Sequence, residues 1–270
     1  MPLGANRWGK SDVRISKVFR GDDSDDFVDL RVRILLEGDV APAHTEGDNS
    51  AVVPTDTMRN TVYGLAQDRL SRDLERFGEA LCDHFLARDG VHGAEVSIEK
   101  MIWARETAHG FVGGGSERRT ARVARGSQES TSAGIEGLVV LKTSGSAFEG
   151  FPKDHFTILP EASDRLLATS VTADWDYSVI PSDTSATWRL VRGVLVDRFF
   201  EDWSASVQHQ GYLMGEAVLE AISEITEVRF RLPNQHHLPF DLTRFGLEWE
   251  GTVFHPVSEP FGDIHLTVTR

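Results

Sequence analysis

Cysteine is almost absent from this sequence of 270 residues, in which Cys82 is the only copy. A single cysteine excludes an intramolecular disulfide and any cysteine-rich zinc site. Basic residues are also scarce: there are 28 lysines and arginines against 42 acidic residues, and the formal net charge is −14. Because nucleic-acid binding needs basic patches, this balance argues against a nucleic-acid partner. It leaves room for a small anion, which one buried arginine can bind.

Long apolar runs are missing as well. No stretch of 18 apolar residues occurs, and the first residues, MPLGANRWGK, lack the apolar centre of a signal peptide. The last residues, HLTVTR, differ from the peroxisomal Ser-Lys-Leu signal. We therefore expect a soluble, cytoplasmic protein without a membrane partner. Hydrophobic residues make up 40% of the chain, enough for one large core or two ordinary ones.

The first half of the chain alternates apolar and polar residues on both sides of an acidic turn, GDDSDD, at 21–26. Val13 and Ile15 precede the turn, and the alternating run at 30–36 follows it, which predicts an antiparallel hairpin. The next patterns predict two helices and two strands, because the apolar spacing changes from two to nearly four and back again. These segments are helices at 57–68 and 74–85 and strands at 96–103 and 117–125, the strands being separated by a loop at 108–117.

The second half repeats this order. Its predicted elements are strands at 137–144 and 165–178, helices at 188–199 and 214–222, and strands at 228–232 and 265–270. The fold class is therefore α+β, with two tandem strand-strand-helix-helix-strand-strand units at 1–134 and 135–270, each an antiparallel sheet with helices on one face. The TSAG composition near 127–136 predicts the connection between them. Open sheet edges predict oligomerisation.

Five stretches of the sequence, in matching order and spacing, resemble the urate oxidase (uricase) family. They are NRWGKSDVR at 6–14, VVPTDTMRNTVY at 52–63, GLVVLKTSGSAFEGFPKD at 137–154, SASVQ at 204–208 and LPNQHH at 232–237. Each stretch alone is a weak signal, but five in register are a strong one. The resemblance implies two tandem tunnelling-fold (T-fold) units and a homotetramer with active sites at subunit interfaces.

The resemblance also implies a reaction and a set of site residues. Urate, dioxygen and water would become 5-hydroxyisourate and hydrogen peroxide, without a metal or an organic cofactor. The catalytic residues would be Lys10, Thr55 and His236. The substrate-binding residues would be Thr55, Asp56, Phe148, Arg165, Val207, Gln208 and Asn234.

These residue types suit the chemistry of urate, a flat anion whose edge alternates carbonyl oxygens with N–H groups. Phe148 offers an aromatic face for stacking, and Arg165 offers a planar fork of donors. The amide of Gln208 carries both a donor and an acceptor. Dioxygen can take one electron directly from a urate dianion, so the protein must mainly deprotonate and position urate. A threonine hydroxyl is a weak base alone, but Lys10 can withdraw the proton of Thr55.

Other interpretations of the same residues stay open at this point. Thr55 and Asp56 are types that favour helix caps, and a lone lysine such as Lys10 is most often a surface residue. Arg165 could form a structural ion pair with Asp154 or Asp164. The alternatives for the whole chain are another tunnelling-fold enzyme that acts on a pterin or purine, or a purine-binding protein without catalysis.

Overall fold

The computed structural model describes residues 1–201 and 203–270. These residues form two compact units. The first unit contains Met1–Ile135 with Trp175–Arg189, and the second contains Glu136–Asp174 with Leu190–Arg270. The division into two tunnelling-fold units at residues 134 and 135 stays a prediction.

The first unit is built on four antiparallel strands that are neighbours in chain order. They are β1 (Trp8–Phe19), β2 (Asp26–Gly38), β3 (Val91–Arg105) and β4 (Phe111–Gly126). β1 and β2 form the hairpin predicted around 21–26, and their alternating residues Val13, Val32 and Ile34 are buried. The period of two therefore identified the inner face of this hairpin correctly.

β4 begins earlier than expected. The loop predicted at 108–117 is wrong from Phe111 onward, because residues 111–113 pair with residues 103–105 of β3. The pairing shifts between Met101 and Trp103, and Gly115 has a φ of 82° on the opposite strand. Glycine adopts this left-handed conformation without strain. The glycine-rich run therefore continues the strand through an irregularity, where composition had indicated a loop.

Helices pack against the core face of this sheet. α2 (Thr55–Arg69) and α3 (Leu74–Leu86) carry the two predicted apolar stripes, and a short helix, α1 (Ala41–Thr45), precedes them without a prediction. The stripe of α3 is fully buried against the strands. α2 contributes a narrower stripe of Met58, Val62 and Ala66.

β5 (Ser130–Lys142) runs from the first unit into the second. The boundary between the two compact units falls within the stretch 127–136, between Ile135 and Glu136, but residues 130–136 form a strand where composition had indicated a loop. Thr131, Ala133 and Ile135 are buried. Pairing within a sheet overrides the weak strand propensity of small residues, since that propensity depends strongly on context.

The second unit continues with β6 (Leu167–Tyr177), α4 (Thr184–Glu201), α5 (Val207–Ala221) and β7 (Ile225–Pro233). The apolar stripes predicted for both helices are buried. β8 (His236–Pro239) and β9 (Phe254–Val257) form a separate antiparallel hairpin that sequence reasoning missed. β10 (Asp263–Thr269) then pairs antiparallel with β7. None of the helices in the two described ranges is long and apolar enough to cross a membrane.

Candidate active site

Lys10 lies on the helix-covered face of the first sheet. Along β1, Lys10 is opposite Ile34 of β2 and Val13 is opposite Val32, so one extra residue separates the two pairs on β1. This irregularity is a β-bulge, and Asp12 within it has a φ of 55°. Opposite residues of an antiparallel pair share a face. Because Ile34 and Val32 belong to the core, Lys10 points toward the core side as well.

Thr55 begins α2 without capping it. Pro54 is the N-cap residue, with φ −60° and ψ 136°, and no side chain caps the helix there. The helix-cap interpretation of Thr55 is therefore wrong. The side chain of Thr55 is exposed, as is that of Asp56, which pairs with Arg59 at 2.7 Å. The threonine hydroxyl consequently stands at the surface of a helix N-terminus.

Trp8 connects β1 to the segment before α2. Its indole Nε1 donates a hydrogen bond of 3.1 Å to the carbonyl oxygen of Val53, two residues before Thr55. Trp8 and Lys10 are two residues apart on β1 and share a face. The structure thus brings Lys10 and Thr55 to the same end of the first unit.

Phe148 and Arg165 come together in the second unit. Phe148 exchanges two backbone hydrogen bonds with Ala162, and the backbone N–H of Arg165 donates to Ser146 at 2.7 Å. The guanidinium carbon of Arg165 lies 5.4 Å from the centre of the Phe148 ring. Phe151, which sequence reasoning missed, stacks on Phe148 with ring centres 4.9 Å apart.

Arg165 forms no structural ion pair in the part of the chain that the structure describes. Asp164 accepts instead from the backbone of Gly145, and Asp154 accepts from Thr157. The Nε of Arg165 is buried, and among the described residues it has no hydrogen-bond partner. Burial lowers the pKa of Arg165 from its usual value. The guanidinium of Arg165 is therefore not held by a carboxylate among the described residues.

Val207 and Gln208 open helix α5. Ser206 is the N-cap, and its hydroxyl accepts from the backbone N–H of His209 at 3.1 Å. Val207 is buried and Gln208 is exposed. The first N–H groups of a helix lack an intrahelical acceptor and carry partial positive charge, so the N–H of Val207 suits an anionic or carbonyl oxygen.

The segment before α5 lies beside the segment that carries Phe148. Ser204 donates its N–H to the carbonyl of Gly145 at 3.1 Å, and its own carbonyl accepts from Ala147 at 2.8 Å. His209 adds a further bond, because its Nδ1 accepts from the N–H of Ala205 at 3.2 Å. Sequence reasoning missed these supporting residues, although a serine just before a helical pattern is a usual start signal.

Asn234 and His236 contact each other, as their spacing of two predicts. Nδ2 of Asn234 lies 3.3 Å from Nδ1 of His236. Both line a cavity of about 600 Å³ in the second unit, together with His237 and Phe261. Asn234 also forms a β-bridge with Thr169 on β6, shortly after Arg165 in the chain. Across residues 1–201 and 203–270, no group of three or more His, Cys, Asp or Glu side chains could hold a metal ion.

The predicted site residues thus fall into two groups. Lys10, Thr55 and Asp56 belong to the first unit, and the residues of the second group belong to the second unit. The second group contains Phe148, Arg165, Val207, Gln208, Asn234 and His236. An aromatic ring beside a partly buried arginine, a helix N-terminus and an Asn–His pair can bind a flat, polar anion. A lysine amine and a threonine hydroxyl are groups that can transfer protons.

Antiparallel sheets with helices on one face, repeated along one chain, define a tunnelling-fold protein. The uricase family model matches residues 6–129 and 131–265. The chain is 42% identical to a uricase of Arthrobacter globiformis, over 99% of this chain and 90% of the relative, and 38% identical to a uricase of Dictyostelium discoideum, over 98% and 96%. The crystal structure of the Arthrobacter globiformis uricase superposes with a TM-score of 0.95, covering 100% of this chain and 95% of that one. This chain belongs to the uricase family.

Proposed function

We propose that this chain is a urate oxidase, which converts urate, dioxygen and water to 5-hydroxyisourate and hydrogen peroxide. The observation that carries the proposal is the guanidinium of Arg165, which forms no ion pair among the described residues, has a buried Nε without a partner there, and lies beside the Phe148 ring in a member of the uricase family. A structural arginine in such a place would be expected to pair with a carboxylate. A binding arginine keeps its donors for substrate.

The binding groups match the plane and the edge of urate. Phe148 stacks on the purine, in the way that aromatic rings stack on nucleobases for roughly 1–3 kcal/mol. Arg165 donates two in-plane hydrogen bonds to a carbonyl oxygen and an adjacent ring nitrogen. Gln208 and the backbone N–H of Val207 meet the opposite edge. An analogue that lacks one edge group leaves a buried polar atom unpaired, at a cost of roughly 1–3 kcal/mol.

The reaction needs proton removal and placement of dioxygen. Lys10, acting as the neutral amine, takes the proton of Thr55 and becomes an ammonium, and the Thr55 oxygen takes a proton from the urate monoanion, which leaves the dianion. The urate dianion is rich enough in electrons to transfer one to dioxygen, which needs no cofactor. Asn234 holds dioxygen, water or peroxide beside the purine ring. His236, whose Nδ1 lies 3.3 Å from Nδ2 of Asn234, extends the proton relay. Asp56 contacts the substrate next to Thr55.

The assembly is a further part of the proposal. We infer a homotetramer in which Thr55 of one chain and Arg165 of another chain complete each site. The grouping of site residues by unit supports this arrangement. The cytoplasm stays the expected location, on the strength of the sequence alone.

A direct assay tests the function. Purified chain mixed with urate is expected to remove the urate absorbance, to consume one dioxygen per urate and to release one hydrogen peroxide. Activity is expected to survive extensive dialysis against a chelator, and a loss that one added metal restores would contradict the cofactor-free reaction. Turnover of a pterin instead of urate would favour the other tunnelling-fold enzymes. Purine binding without any turnover would favour a binding protein.

A further inference from the structure

Side-chain hydrogen bonds to backbone carbonyls join strand β1 to helix α2 and to the residues directly before and after this helix. The bonds occur at three points. Residue numbers increase in the same direction along β1 and α2 from one point to the next. The bonds are Trp8 Nε1 to Val53 at 3.1 Å, Tyr63 Oη to Arg14 at 2.9 Å, and Lys17 Nζ to Ala66, Gln67 and Leu70 at 2.8, 3.0 and 2.8 Å. These bonds cover the full length of α2.

Lys17 holds the C-terminal end of α2. The last four carbonyls of a helix lack intrahelical donors and carry partial negative charge. The ammonium of Lys17 has three donors, and all three meet carbonyl oxygens at this end. The same ammonium lies 4.9 Å from the centre of the Phe19 ring on its own strand. Lys17 therefore couples the end of the helix to β1.

Tyr63 holds the middle of α2. Its side chain is 47% exposed, so burial of the ring contributes less than it would in the core. Its hydroxyl donates to the carbonyl of Arg14 on β1. The buried stripe of α2 consists of Met58, Val62 and Ala66, and Leu65 packs against the same core while partly exposed. The polar bonds add directional contacts to this packing and fix which residues of α2 lie beside which residues of β1.

This position decides the geometry of the candidate catalytic pair, because Lys10 belongs to β1 and Thr55 is the first residue of α2. We propose that Lys17 and Tyr63 are positioning residues, which hold α2 along β1 so that the hydroxyl of Thr55 stays within reach of Lys10. The inference rests on the proposed function. Since a misplacement of about 1 Å can lower a rate a hundredfold, a shift of a few tenths of an ångström is expected to lower kcat roughly tenfold.

The test compares two tyrosines that lose the same hydroxyl. Tyr63→Phe removes the bond to β1, whereas Tyr212→Phe removes a hydroxyl that bonds Glu216 within α5. Tyr63 is 47% exposed and Tyr212 is 48% exposed, so the control variant loses its hydroxyl at a similarly exposed position. Tyr63→Phe is expected to lower kcat roughly tenfold. Binding of xanthine, a purine that lacks the C8 oxygen of urate, is expected to stay within twofold, and Tyr212→Phe to behave as wild type.

Lys17 supplies the second variant. Lys17→Met is expected to lower kcat further than Tyr63→Phe, because it removes bonds to three carbonyls. Lys17→Arg keeps a cation with several donors at the helix end and is expected to recover part of the rate. If Lys17 were purely structural, its variants would change Tm, and they would not lower kcat while leaving the affinity for xanthine unchanged.

The outcomes separate this inference from the proposed function. If wild-type chain does not oxidise urate, the proposed function fails. If wild-type chain oxidises urate and Tyr63→Phe turns over like Tyr212→Phe, only the positioning role is overturned. The positioning role is also overturned if kcat, xanthine affinity and Tm of Tyr63→Phe all fall together, since that pattern reports general loosening of the fold.

Discussion

The guanidinium carbon of Arg165 lies 5.4 Å from the centre of the Phe148 ring, and the buried Nε of the same arginine has no partner in the described part of the chain. We propose that the two side chains act as one binding element, in which the ring supplies an apolar face and the guanidinium supplies in-plane donors. The backbone pairing of Phe148 with Ala162 holds the aromatic partner in place.

Arg165→Met is therefore expected to weaken xanthine binding. A hydrogen bond to a charged group contributes roughly 1.5–3 kcal/mol, which corresponds to about ten- to hundredfold in Kd. Arg165→Lys should recover only part of the affinity, because an ammonium lacks the planar fork. Titration calorimetry measures the affinities, with Arg244→Met, which removes a highly exposed arginine, as the control. Wild-type affinity in Arg165→Met would remove this residue from the site.

Thr55→Val keeps the branched shape and removes only the hydroxyl. Because Pro54 is the N-cap, the free energy of unfolding is expected to change by less than about 0.5 kcal/mol. If the hydroxyl transfers the proton, kcat should fall by roughly two to four orders of magnitude. Steady-state kinetics and thermal unfolding measure both effects, with Thr57→Val in the same helix as the control. Turnover close to wild type in Thr55→Val would mean that another group is the base.

A mixing experiment tests whether each site is shared between chains. Co-expressed Thr55→Ala and Arg165→Ala chains, each inactive alone, are expected to regain activity in hybrid tetramers. At random mixing, at most about a quarter of the sites receive both intact residues. Activity per tetramer, measured on purified hybrids, reports the rescue. Hybrids that show only the sum of the parental activities would place each site within one chain.

The bulge in β1 makes a prediction about Asp12, whose φ is 55°. A residue with a Cβ pays roughly 1–2 kcal/mol for this left-handed conformation, and valine, being β-branched, fits it worse than aspartate. Asp12→Gly is therefore expected to be more stable than Asp12→Val and to keep the wild-type kcat. Asp22, in the turn before β2, does not have a positive φ, so glycine should bring no such advantage there. Equal Tm values for Asp12→Gly and Asp12→Val would argue against the bulge.

The lowered pKa of Glu79 leads us to expect that the stability of the fold depends on pH. Burial alone would raise its pKa, but hydrogen bonds from Arg76 and Arg125 outweigh burial and lower the pKa below the usual 4.5. A carboxylate with a lowered pKa stabilises the fold above the unfolded-state pKa and loses that contribution as pH falls through the folded-state pKa. Glu79→Gln should therefore be less stable than wild type at pH 7.

The difference in the free energy of unfolding between wild type and Glu79→Gln should shrink as the pH falls below about 4.5. Chemical unfolding at several pH values measures it, and Glu46→Gln, at an exposed position, serves as the control. A stability difference between wild type and Glu79→Gln that stays constant across this range would show that the charge of Glu79 does not contribute.

The spacing of apolar residues was sufficient to predict an element where that element buries one regular face. The period of two in the β1–β2 hairpin and the helical stripe of α3 were both predicted, because burial of every second or every third to fourth residue is written directly in the sequence. The spacing of apolar residues did not predict the elements whose backbone conformation depends on pairing with strands distant in the sequence. β5 takes in small residues that resemble a connection, and the hairpin β8–β9 carries too short a pattern to be recognised.

The sequence by itself determined the family, the α+β class and the identity of the candidate site residues, because the five stretches and the apolar periods are local features of the chain. The direction of Lys10 was decided only by tertiary structure. In a regular strand, Val13 and Ile15 on the inner face would turn Lys10 outward, with Arg14 and Ser16. The bulge at Asp12 adds one residue and turns Lys10 inward, opposite Ile34. A bulge exists only in the pairing of two strands, so the sequence of β1 alone does not reveal it.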